Sequence, residues 1–140
     1  MHAETTTDID AAPALVWEVL MDLEHWPEWT ASISKVEVLD AGPFAIGSRV
    51  RIKQPKLPAV VWVVTALEPE RFFAWRATSR GVDMTATHRL QARGADGVTF
   101  VNAIDQGGPL GGIAALFYGG LTRRYIAIEA DGLKRRCERA

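Results

Sequence analysis

The sequence has one cysteine, Cys137, three residues from its end, so no internal disulfide can form and no Cys-rich zinc site can be assembled. Its three histidines, His2, His25 and His88, are scattered along the chain and lack the spacing of a metal cluster, so no metal is expected. No run of about 18 apolar residues occurs, and no basic-then-apolar leader is recognisable. Membrane insertion is therefore not expected, and the cytoplasm is the expected location. Cofactor motifs are missing too. The stretch Gly107–Gly112 follows a strand pattern and precedes a helix pattern, but it lacks both the G-x-G-x-x-G spacing and a Gly-Lys-Ser/Thr ending. Nucleotide binding, and a cofactor of any kind, are not expected.

What is present is 140 residues, 48% apolar and 24% charged, enough chain for one domain over residues 1–140 with a core of its own. The net charge of −1 hides a segregation. Nine acids in residues 1–40 face Lys35 alone, whereas residues 41–80 carry seven bases against Glu68 and Glu70. Basic residues alternate along strand-like segments instead of massing with aromatics, so nucleic acid is not an expected partner and the two segments should cancel within one fold. Five tryptophans, Trp17, Trp26, Trp29, Trp62 and Trp75, exceed what filling so small a core usually requires.

Residues 3–10 alternate as a strand. Ala12-Pro13 opens a helix, since proline suits the first helical position, and Leu15, Val16, Val19 and Leu20 give it an apolar face. Asp22 can cap a second short helix holding His25, Trp26 and Trp29. From Lys35 the period changes to two: strands are predicted at 36–38, 49–53, 59–67, 72–78, 82–93 and 98–106, separated by proline and glycine turns. From Ile113 to about Arg136, Phe117, Leu121, Tyr125 and Ile128 recur at helical spacing, with Gly119-Gly120 expected to bend the helix. Hairpin-linked strands with helices grouped at the ends make an α+β fold with an antiparallel sheet. Its curled face would hold the last helix and leave a cavity between them.

Treating Gly94–Gly97 as a four-residue turn pairs Arg93 with Val98. His88 then lies opposite Ala103, Ala86 opposite Asp105 and Leu90 opposite Val101. On that register His88, Ala103 and Asp105 share the groove, and a His88–Asp105 pair has the ingredients of a general base.

The segment Ala12-Pro13-Ala14-Leu15-Val16-Trp17-Glu18-Val19-Leu20, then Asp22-Leu23-Glu24-His25-Trp26-Pro27-Glu28-Trp29, resembles the opening of polyketide cyclase/dehydrase-type members of the START-like (SRPBCC, Bet v 1-like) superfamily. Gly47-Ser48-Arg49-Val50, the Trp75 strand and Gly97-Val98-Thr99 extend the likeness over essentially the whole chain. The resemblance implies a helix-grip fold: a seven-stranded curved antiparallel sheet around a long C-terminal helix, with two short helices after the first strand. It implies a pocket for lipids or polycyclic compounds, with Trp26 and Trp29 flanking its mouth. The expected lining is Trp62, Trp75, Met84, His88, Ala103, Phe117, Leu121 and Tyr125, with Trp17 in the core. For the aromatase/cyclase members the resemblance implies an arginine and several polar groups projecting into the pocket from the central strands. Here Ala59–Leu67 has no arginine and only Thr65 as a hydroxyl, and Arg76 should face away if Trp75 faces in.

The expected function is therefore binding or transport of a small hydrophobic ligand (lipid, isoprenoid or polyketide-like) by a monomer or homodimer, leaning away from an enzyme. One alternative is a polyketide cyclase, aromatase or dehydratase working through His88 and Asp105. Another is a protein or ribosome interaction module using Arg49, Arg51 and Lys53.

Overall fold

The computed structural model describes residues 1–139. Strand β1 (His2–Ile9) leads to helix α1 (Pro13–Met21) and a 3₁₀ helix (Leu23–Glu28). Six strands follow: β2 (Lys35–Val38), β3 (Arg49–Lys53), β4 (Val60–Glu68), β5 (Phe72–Ser79), β6 (Val82–Ala92) and β7 (Val98–Gly107). Helix α2 (Gly111–Glu138) ends the chain. The seven strands form one antiparallel sheet in the order β1-β7-β6-β5-β4-β3-β2. β2 to β7 run as a meander, and β1 joins the free edge of β7. This is the expected helix-grip arrangement, with α2 packed across β1, β7 and β6 and both short helices near one end. Among the described residues, no helix is long and apolar enough to cross a membrane.

Pro13 stands at the start of α1, where its missing N–H costs nothing, and Val16 and Leu20, one turn apart, are buried. In the 3₁₀ helix, three residues per turn set Leu23 and Trp26 on the same side, and both are buried. Trp26 is fully enclosed, and its indole N–H donates to the Leu20 carbonyl at 3.1 Å. This corrects the expectation that Trp26 and Trp29 flank a mouth: both are buried core. Trp17 packs half-buried, edge-on to Phe73 at 6.4 Å.

Helix α2 is continuous through Gly119-Gly120, and its inward face is the expected one only at Tyr125; Leu121 and Ile128 are half-buried and Phe117 is exposed. Thr122, Ile126, Glu129, Leu133 and Cys137 are buried, a stripe about 100° around the helix from Phe117–Leu121–Tyr125–Ile128. The apolar pattern misleads because two polar residues, Thr122 and Glu129, lie on the buried face. Cys137, three residues from the end of the sequence, is buried in the core, and burial pushes its thiol up to about 11. Close packing sets the position of α2. A Cβ on Gly132 would stand 1.9 Å from the Trp29 carbonyl oxygen, so only glycine lets the helix reach the loop after the 3₁₀ helix.

Part of the segregated charge is paired across β2 and β3. β2 and β3 set Glu37 opposite Arg51, with side chains paired at 2.9 Å, and Asp40 takes Arg49 at 2.9 Å. The Arg49 guanidinium holds the Asp40 carboxyl below its ordinary range. Lys53 is occupied by the Gln54 and Leu57 carbonyls.

Candidate functional site

Between the sheet and α2 lies a cavity of about 280 Å³. Met84 and Ile104 from the sheet, Trp62 from β4 and Ile126 from α2 form its apolar wall. Residues of the 54–58 loop, the β5–β6 turn and the first turns of α2 form its rim. Among the described residues, the only charged one lining it is Arg80. Gln106 contributes a side-chain amide oxygen that is buried without a hydrogen-bond partner among the described residues. In a wall this apolar, an unpaired acceptor is costly unless something donates to it.

A second, inner space of about 50 Å³ shares Gln54, Trp62, Ile104 and Ile126 with the first. Trp26, Trp75, His88 and Glu129 stand around it. His88 lies parallel to Phe73 with ring centroids 4.2 Å apart, edge-on to Trp75 at 5.7 Å, and 5.8 Å from Trp26. Its Nε2 meets Glu129 Oε1 at 3.0 Å, while its Nδ1 is buried with no partner among the described residues. Beside it Asn102, directly opposite His88 across the β6–β7 ladder, donates its amide to the Ile126 carbonyl at 3.2 Å. With an ionised Glu129 and a neutral ring, the contact puts the proton on Nε2 and leaves Nδ1 as an acceptor.

His88 thus has a carboxylate partner, but not Asp105. The β6–β7 register pairs His88 with Asn102, Ala86 with Ile104 and Leu90 with Phe100, one residue away from the expected pairing. Because side chains alternate along a strand, that single step turns Asp105 to the outer face. There it is exposed and takes His2 Nδ1 at 2.7 Å. Ala103, now opposite Thr87, contributes to the inner space as a strand neighbour of Asn102, with its side chain on the other face from His88. The turn explains the slip: the Arg93 N–H donates to the Gly97 carbonyl, and the ladder starts only at Ala92–Val98.

The remaining expected residues divide. Trp62, Met84, Phe117 and Tyr125 line the larger cavity, and Trp26 and Trp75 the inner one. Trp29 and Leu121 line neither. Tyr125 is buried, its hydroxyl donating to the Pro55 carbonyl, which ties α2 to the rim. Phe117 stands 74% exposed at the mouth, beside Ile113 and Tyr118. Arg76 is exposed while Trp75 is buried, as expected. Glu129 went unrecognised because an acid in a charged helical segment reads as solvent-facing. Its signal was Thr122-x₃-Ile126-x₂-Glu129-x₃-Leu133, one continuous stripe that contains it.

Residues 1–138 match the model of the family described as polyketide cyclase / dehydrase and lipid transport. The chain belongs to that family. Its fold is shared by several solved structures. The Zhui aromatase/cyclase from Streptomyces sp. R1128 is 23% identical, with TM-score 0.81, covering 99% of this chain and 94% of that one. A START superfamily protein from Mycobacterium smegmatis is 15% identical, with TM-score 0.77 and coverage of 99% and 97%. Norcoclaurine synthase from Thalictrum flavum, solved with dopamine and hydroxybenzaldehyde, is 14% identical, with TM-score 0.74 and coverage of 96% and 84%. No curated protein sequence matches the chain.

Proposed function

We propose that this family member binds a small, largely apolar molecule in the cavity between the sheet and α2. The observation that carries the reading is that cavity itself: about 280 Å³, open at one end, apolar on both walls and holding one unpaired acceptor, Gln106 Oε1. Small-molecule sites commonly run roughly 300–1,000 Å³ with a few placed polar groups. This one stands at the lower edge, which favours a compound of a few rings or a short chain over a long lipid. The solved complex of norcoclaurine synthase, with its two small aromatic compounds, supports the same reading.

Titration with N-phenyl-1-naphthylamine, a neutral dye that brightens in apolar sites, tests this. Saturable binding is expected, and filling the cavity with Met84→Trp from the sheet or Ala114→Phe from the helix should abolish it. Absence of saturable binding, or binding unchanged in folded protein of both variants, would overturn the proposal.

A second reading rests on His88 and Glu129. A carboxylate-oriented imidazole beside a ligand cavity is the arrangement of a general base, and the enclosing aromatic rings exclude water from it. On this reading the protein moves a proton in a cyclising or dehydrating reaction of a polyketide-like compound. Turnover of an aromatic polyketide surrogate that is lost in both His88→Gln and Glu129→Gln supports it. Unchanged dye binding in those variants would separate the chemistry from the binding, and unchanged turnover in either variant sinks the reading.

A further inference from the structure

We infer that the cavity ligand carries an anionic oxygen group, such as a carboxylate, and that Arg80 at the mouth holds it. This rests on the ligand-binding reading above and names the chemical class of the ligand. Three observations converge on it.

The first is electrostatic. Arg80 is the sole charged residue among those lining the larger cavity, whose other polar groups are neutral. Among the described residues it forms no ion pair, unlike Arg49, Arg51, Arg93 and Arg136; other arginines are unpaired too, but of the arginines Arg80 alone lines the cavity. The acid nearest in sequence, Asp83, instead accepts from the Thr78 hydroxyl at 2.9 Å.

The second is conformational. Ser79 pairs with Val82, so Arg80 and Gly81 alone connect β5 to β6. Both have positive φ, 52° and 77°, as the mirror-image two-residue hairpin turn requires. That turn favours asparagine, aspartate or glycine at its first position, because a long side chain is strained in the left-handed region. Arginine is a poor choice for the turn, and strained residues of this kind gather where a ligand is held.

The third is placement. The Leu110 N–H donates to the Gly81 carbonyl at 2.9 Å, and Leu110 packs where a Cβ on Gly81 would stand. The turn is thereby pinned to the start of α2, and the Arg80 backbone is fixed at the rim. A ligand with its anion at Arg80 would extend its apolar body past Met84 toward Trp62 and present a donor to Gln106 Oε1.

Two dyes with one frame test the assignment: 1-anilinonaphthalene-8-sulfonate and its uncharged parent, N-phenyl-1-naphthylamine. The sulfonate should bind about tenfold tighter, the size of one charge-assisted hydrogen bond at a partly exposed site, with the advantage shrinking as salt is added. Arg80→Asn should remove most of that advantage and leave the neutral dye within twofold. The same variant should keep or raise the unfolding temperature, because Asn-Gly suits the turn better. A sulfonate-to-neutral ratio unchanged in Arg80→Asn overturns the inference. So does a parallel loss of both dyes with a lower unfolding temperature, which marks a structural arginine. Arg123→Gln, outside the cavity lining, should leave the ratio intact, and an equal fall there would reveal a general surface effect and overturn the inference too. If neither dye binds the parent protein, the ligand-binding reading itself has failed.

Discussion

The two halves of α2 face the same sheet and do opposite things. Its second half, from Ile126 to Cys137, lies against a sealed wall of Trp26, Phe73, Trp75, His88 and Phe100. Its first half leaves Leu116 in solvent and Ile113 and Phe117 exposed at the rim of a cavity. The sequence accounts for the contrast. Gly132 allows close approach at the sealed end. At the open end no large residue between Gly111 and Gly119 is buried: Ile113, Leu116, Phe117 and Tyr118 are all exposed, so the space is left unfilled. Stability should therefore concentrate at one end and ligand access at the other, and substitutions along one helix can break or sharpen that division.

The largest effects belong to the sealed end. Trp26→Ala should cost about 3–5 kcal/mol, since it leaves a large void among four aromatic neighbours and strips the Leu20 carbonyl of its donor. Gly132→Ala should cost about 1–3 kcal/mol, because the Trp29 backbone must move away from the new methyl group. Urea unfolding measures both. A loss below about 0.5 kcal/mol for either would show that the end is not sealed.

Next is the polar pair inside that wall. Glu129→Leu should cost about 1–3 kcal/mol by leaving the buried His88 ring with no partner at either nitrogen. The double variant His88→Phe/Glu129→Leu should recover most of that, since replacing both partners by apolar groups of similar shape can be nearly neutral. Chemical unfolding of the single and double variants closes the cycle. Recovery would mean that stability alone does not require the pair, which favours the proton-transfer reading. A double variant as weak as its worse parent would make the pair structural.

What could be read from the sequence follows from the same contrast. Local signals placed the elements: Pro13 at a helix start, period-two alternation in Arg49–Lys53, glycine turns at Gly81 and Gly94–Gly97. The facing of side chains was legible where one face is plainly apolar, as for Trp75 against Arg76. It failed where the polar residue is the buried one. Glu129 and Thr122 broke the apolar stripe of α2, and one residue of turn geometry moved Asp105 out of the groove and Asn102 into it. Trp26 read as a mouth residue because its burial depends on 3₁₀ spacing and on contacts with Trp75 and His88, far away in sequence.

At the open end the expected effects on stability are small. Leu116 is 80% exposed and lines neither cavity described above, so Leu116→Ser should stay within about ±0.5 kcal/mol. Phe117→Ser should change stability as little while weakening dye binding, because Phe117 borders the mouth. Equal loss of stability from Leu116→Ser and Leu133→Ala, two residues on one helix, would erase the division between the ends.

The smallest expected effect probes the sheet register from its outer face. The hydrogen bond and charge of Asp105 raise the His2 pKa above its ordinary 6.5, with Glu4 adding to the shift. A histidine whose folded pKa is raised contributes stability that is fully present below about 6.5 and fades as pH climbs through the raised value. Both partners are exposed, so the contribution is slight and is read better by proton NMR titration of His2 than by unfolding. Asp105→Asn should bring His2 back toward 6.5 and leave dye binding in the cavity unchanged, since the β6–β7 pairing turns residue 105 away from the groove. If Asp105→Asn instead leaves His2 unmoved and alters dye binding, Asp105 faces the groove after all and the ladder is shifted by one residue.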